Sequence, residues 1–165
     1  MTTLQERNRA ILAQLTELLD RLPADAYTAP LVVLHGQSVG RHVRHVAEFY
    51  ECLLNGGVQA VNYDARPRNP ALETDPQAAR RALQRVADEL RTEPTDRPLL
   101  LEDADGVQQP TSLFRELTYL VEHSVHHMAI VKIALNVAFP AIPVAEDFGV
   151  APSTLRHRNQ LAVGS

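Results

Sequence analysis

The sequence predicts an all-α four-helix bundle with a small hairpin between helices three and four and an irregular C-terminal tail. Three observations lead there. Apolar residues recur at helical intervals in four segments, about residues 3–22, 38–55, 75–92 and 111–138. Proline, glycine and tight-turn dipeptides punctuate the stretches between them. The 165 residues are enough chain to bury a core and are expected to form a single domain, 1–165.

Each segment has its own start and stop. Thr3 and Glu6 have capping-box spacing, and Leu4, Ile11, Leu15, Leu18, Leu19 and Leu22 follow at helical intervals until Pro23. Residues 24–37 contain Pro30, Gly36 and an apolar run from Leu31 to Leu34; no neighbouring segment offers that run a sheet, so a loop is expected. Ser38 is a good N-cap for the second helix, whose apolar face is Val39, Val43, Val46, Phe49, Tyr50, Leu53 and Leu54. Asn55, Gly56 and Gly57 end it. Residues 58–74 form a connection long enough to suggest a functional loop. Asp75 and Pro76 read as N-cap and first helical residue, and Ala79, Leu83, Val86 and Leu90 mark a buried stripe that stops before Pro94. Leu99, Leu100 and Leu101, then Asp105, Gly106 and Val107, suggest the hairpin. The last helix starts at Thr111 or Ser112, and Leu113, Leu117, Leu120, Val125, Val131 and Leu135 carry it to about Ala138. Phe139 and Pro140 break it. The tail, 139–165, is Pro-rich without helical period, and is expected to pack in part and be disordered at its end.

Composition narrows the function. Fifteen arginines and one lysine are offset by 20 acidic residues, for a net charge of −4, which disfavours bulk binding to nucleic acid. The single cysteine, Cys52, excludes an internal disulfide and fits a reducing compartment. The N-terminus lacks the apolar core of a signal peptide, and no run approaches the roughly 20 apolar residues of a membrane span. A cytoplasmic protein without membrane or nucleic-acid partners is the expectation.

The histidines carry the chemistry. On a helix, His123 and His127 lie one turn apart on one face, with Tyr119 a turn before them, and that spacing lets two imidazoles share a metal ion. His126 points about 100° away from His127. On the second helix His42, His45, Glu48 and Cys52 form a polar stripe. One histidine of that stripe, His42 or His45, with the His123–His127 pair gives three nitrogen ligands and leaves a coordination position open, as catalytic zinc sites do. Glu48 suits the role of an acceptor that orients an imidazole. Cys52 is more ordinary as a small core residue than as a nucleophile. His35, His126 and His157 read as surface or satisfied core histidines. Three imidazoles suit zinc, nickel, iron or copper.

Two motifs, Ser38-Val-Gly-Arg-His-Val-Arg-His45-Val-Ala-Glu48 and Glu122-His123-Ser-Val-His-His127, resemble those of the DinB-like (YfiT-like) metal-binding four-helix bundles. In that family a helix-two histidine, usually followed three residues later by an acid, joins an H-x3-H pair on the last long helix. Carried over by position, the resemblance implies His45, His123 and His127 as ligands; His42 falls where the family more often has an aliphatic residue. The resemblance covers about residues 3–138. The loop from Asn62 to Arg66, with Glu73 and Asp75, and the tail from Phe148 to Thr154 look like those of an uncharacterised subgroup. The family implies an unusual connection order and often a homodimer. Its better-understood relatives are thiol-dependent transferases, a mycothiol-dependent maleylpyruvate isomerase and the first domain of an ergothioneine-forming oxygenase.

The resemblance therefore implies a divalent metal, a low-molecular-weight thiol and a small electrophilic ligand, with S-transfer or thiol-assisted isomerisation as the reaction. His42, Glu48, Tyr119, Tyr63, Asp64 and Arg66 are the second-layer or pocket candidates, and no catalytic residue is assigned. Arg66 can pair with a substrate carboxylate; the alternative for its loop is a hydrogen-bonded wrap over the bundle end. Two other readings stand beside this one: a hydrolase using metal-activated water, and a non-catalytic stress-response bundle whose metal is structural or vestigial.

Overall fold

The computed structural model describes residues 3–55, 60–92 and 95–163. Four long helices form the frame: α1 (Leu4–Arg21), α3 (Val39–Asn55), α5 (Pro76–Thr92) and α6 (Leu113–Ala138). α1 packs on α5 and α6, and α3 packs on the same two, so the four make a closed bundle. Leu12 and Leu15 of α1, Leu53 of α3, Leu83 and Leu90 of α5, and Leu117, Leu120 and Met128 of α6 are fully buried at its centre. One polar thread runs through this core. Tyr50 Oη donates to Asn8 Oδ1 at 2.7 Å, and Asn8 Nδ2 donates to the Leu4 carbonyl at 2.9 Å, so none of the three is left without a partner.

The helix starts follow the chemistry of their caps. Thr3 and Glu6 close a reciprocal capping box on α1. Ser38 Oγ accepts from the Arg41 amide, Asp75 Oδ1 from the Gln77 amide, and Ser112 Oγ from the Arg115 amide. The ends read from Gly56, Gly57 and Pro94 lie outside the described residues.

Four features differ from the sequence expectation. The described residues hold seven helices rather than four, because α2 (Ala24–Thr28), α4 (Ala71–Thr74) and α7 (Pro152–Val163) join the long ones. α2 and α4 are too short to show a period. α7 occupies the tail expected to be irregular; it starts with proline in the first helical position, as α-helices tolerate. The run from Leu31 to Leu34 is not a plain loop but a 3₁₀ turn, Val32–Leu34, closed by a bridge between Leu31 and Gln37. The hairpin, β2 (Pro98–Glu102) against β3 (Gln108–Ser112), gains a third strand, since β1 (Ala60–Val61) pairs in parallel with β2.

Two close approaches fix the chain around α3 and α6. Gly40, in the first turn of α3, lies against α4. A Cβ there would collide with the Glu73 carbonyl and stand 2.7 Å from Tyr27 Cε1. Tyr27 Oη donates to the Leu72 carbonyl and ties α2 to the same spot. The connection between α3 and α5 is thus drawn across α3. At the other side, Lys132 Nζ donates to the carbonyls of Ala145 and Glu146 at 3.0 and 2.7 Å, and Phe148 is buried. Gly149, at φ +69°, lets the tail backbone lie on that of α6 at Met128 and Ala129.

Gly40→Ala is expected to destabilise the protein by about 1–3 kcal/mol, lowering Tm by about 2–12 °C. A thermal melt checks this, and an unchanged Tm contradicts the contact between α3 and α4.

Candidate metal centre

α3 and α6 lie side by side, and their facing polar stripes meet. His45 comes from α3, and His123 and His127 from successive turns of α6. One ring nitrogen from each lies within 4.8 Å of the other two. His45 Nε2 stands 2.9 Å from His123 Nε2. His42, one turn before His45, is also drawn in: its Nδ1 lies 2.9 Å from His127 Nδ1. His126 is exposed and meets His127 edge to face, outside the cluster.

Burial keeps these rings neutral. It pulls the pKa of His45 down to about 3, with the Arg66 guanidinium adding to the effect. His127 falls to about 3 and His123 to about 4, again mainly through burial. His42 shifts the same way. A neutral imidazole keeps a lone pair for a metal, whereas an imidazolium does not. The donors converge, are uncharged at neutral pH and remain half-buried rather than sealed, so the residues present fit a divalent ion with an approach left to it.

The surrounding side chains hold the rings in place. The long connection after α3 lies over the site. Tyr63 stacks on Phe49 at 4.7 Å between centroids, and Phe49 stacks on His123 at 4.4 Å. Tyr63 Oη donates at 3.0 Å to Glu116, a fully buried carboxylate that also accepts from Thr111 and Arg115. Burial beside that carboxylate raises the Tyr63 pKa, so the phenol keeps its proton. Tyr119, at the rim, places Oη 3.4 Å from His123 Nδ1.

Arg66 is buried. Its guanidinium donates to the Tyr63 carbonyl at 2.7 Å and to His45 Nδ1 at 2.9 Å, and lies over the Phe49 ring. Glu48, expected to orient an imidazole, reaches His45 through Arg66: its Oε2 is 3.4 Å from Arg66 Nε, and its Oε1 accepts from the Asn69 amide. Among the described residues no hydrogen bond joins Glu48 to an imidazole. Asp64 is exposed on the loop. Cys52 stands apart from the histidine cluster, with its thiol 3.4 Å from the Asn62 carbonyl and its pKa raised by burial. With Glu48 and Arg66 it lines a pocket of about 410 Å³.

Sequence reasoning missed Phe49 and Glu116 as parts of the site. Phe49 had a readable signal, since it lies one turn beyond His45. Glu116 had none, because a carboxylate in the first turn of a helix ordinarily faces solvent and favours the dipole.

A model described as the DinB family matches residues 2–137. "FK506-binding protein 5" of Rhizopus delemar is 36% identical over 112 residues, which are 61% of this chain and 28% of that protein. The chain thus spans little more than a quarter of that relative's length. No solved structure matches the chain.

The lowered histidine pKa values set a pH dependence for the metal-free protein. Each folded pKa lies below the ordinary 6.5, so the unfolded chain takes up protons first as the pH falls, and stability drops from about pH 6.5 downwards. Tm measured between pH 7 and 5 is expected to fall, and His45→Gln is expected to flatten that slope. A flat wild-type profile contradicts burial of neutral imidazoles.

Proposed function

As the chain belongs to the DinB family, we propose that His45, His123 and His127 hold one divalent metal ion and that the site serves a thiol-dependent S-transferase or isomerase acting on a small electrophile. Zinc, nickel and iron all suit three imidazoles. The observation that carries the reading is the meeting of three ring nitrogens from two helices within 4.8 Å. When bound, such an ion supplies a Lewis-acidic position that favours the thiolate of a low-molecular-weight thiol.

The chain's own residues support this in stated ways. His42 Nδ1 can accept a hydrogen bond from His127 Nδ1–H and so keep the other nitrogen of His127 free. Tyr119 does the same for His123. Phe49 and Tyr63 wall the rings on one side. Asp64 and Arg66, on the loop, are the polar candidates for contact with the electrophile; Arg66 suits a carboxylate on it. The proposal also carries the expectations drawn from length, composition and charge, a cytoplasmic, single-domain protein that does not bind nucleic acid, and the homodimer that the family resemblance implies.

One observation favours a second reading, a non-catalytic bundle. Tyr63 is committed to Glu116, and Arg66 to the Tyr63 carbonyl and His45, so the loop behaves as a wrap.

Native protein analysed for bound elements is expected to carry about one divalent ion per chain, as three protein ligands would hold. His127→Ala is expected to lose it while keeping its far-ultraviolet circular dichroism. Equal metal in both proteins rejects His127 as a ligand. Loaded protein that consumes thiol against electrophiles supports the transferase. Ester hydrolysis without thiol points to a hydrolase, and neither reaction leaves the non-catalytic bundle.

A further inference from the structure

Arg66 meets His45 from the wrong side for metal binding. A guanidinium has only donors, so the Arg66 Nη2 contact at 2.9 Å requires the lone pair of His45 to sit on Nδ1. The proton of the neutral ring is then on Nε2, the nitrogen that faces His123 Nε2 at 2.9 Å. His123 Nε2 accepts that proton's hydrogen bond, and its own proton sits on Nδ1, towards Tyr119 Oη. The three residues form a chain of hydrogen bonds in which the nitrogen His45 turns towards the cluster is already occupied.

We propose that Arg66 is a latch on the metal site: it holds His45 in the tautomer that cannot ligate, and metal loading requires the guanidinium to leave His45. This rests on the reading that His45, His123 and His127 bind a metal. On loading, the His45 proton transfers from Nε2 to Nδ1, which frees the Nε2 lone pair. Nδ1–H and the Arg66 N–H would then be two donors pointing at each other, so Arg66 turns away. The structure leaves it somewhere to go. Arg66 lines the 410 Å³ pocket beside Glu48, and Arg66 Nε and Glu48 Oε2 are both buried without a hydrogen bond although 3.4 Å apart. That pair is charged but badly aligned, and can tighten as Arg66 rotates. His127 presents no such obstacle. Its Nδ1 faces the ring of His42, which can accept as readily as donate.

Two measurements test the latch. In ¹⁵N-labelled metal-free protein, imidazole nitrogen–proton correlations are expected to show His45 as the Nε2–H tautomer, changing to Nδ1–H on zinc addition. An Nδ1–H ring before zinc overturns the proposal. Zinc is then titrated against a chromophoric chelator with wild type and Arg66→Met, which removes the guanidinium over Phe49 and keeps an unbranched apolar side chain in its place. The variant is expected to bind about 10- to 100-fold more tightly, the scale of one charge-assisted hydrogen bond. That gain is expected to vanish when His45→Ala is added; a gain that persists shows a charge effect and overturns the latch. If wild type binds zinc and Arg66→Met binds equally or more weakly, the latch fails while the metal site stands. If neither binds, the metal site fails and the latch with it. Should Arg66→Met not fold, the tautomer of wild-type His45 decides alone.

Discussion

The packing of α3 against α6 is the constraint on which the rest of the structure depends. Each helix interrupts its apolar face with a short polar stripe, and neither stripe is stable alone against a core. Brought together, the imidazoles satisfy one another: His42 meets His127, and His45 meets His123. Burial then removes their charge. The same contact that lets the bundle close therefore produces a set of neutral nitrogen donors at one point, which is the chemical requirement for a metal site.

The connection between α3 and α5 completes the surroundings. Gly40 allows α4 to lie on α3, and this brings the loop before it over the histidines. Placing Arg44, Arg66, Glu48 and Glu73 in or near the interior is tolerable because they are paired: Arg44 Nη1 lies 2.6 Å from Glu73 Oε2, and Arg66 faces Glu48. The loop is anchored at Tyr63 by a buried carboxylate of α6. A change at Glu116 thus reaches His123 through Tyr63 and Phe49 without touching the ring itself.

Much of this was legible in the sequence, for physical reasons that differ by element. The long helices announce themselves because four or more turns repeat the apolar stripe, and Thr3, Ser38, Asp75 and Ser112 cap where their side chains can accept from the first turn. The hairpin follows from Asp105 and Gly106, with Gly106 at φ +79°. The meeting of His45 with His123 and His127 was readable from spacing and from resemblance together. The short helices were not, because α2 and α4 complete barely one turn, and α7 buries too little to impose a period on Pro152, Leu155 and their neighbours. Nor was the direct contact between Arg66 and His45. Nothing in a loop's composition shows which way an arginine folds back, and Glu48, three residues from His45 on the same helix, looked the better partner.

At the proposed centre three imidazoles, and no sulfur from the protein, surround one ion and leave part of its coordination to other molecules. X-ray absorption at the metal edge of zinc-loaded protein, free of any added thiol, tests this most directly. The account predicts scattering from about three imidazole rings with nitrogen about 2.0–2.1 Å from a zinc ion, together with lighter oxygen donors from solvent. A shell of sulfur at about 2.3 Å, or a spectrum without imidazole scattering, would contradict it.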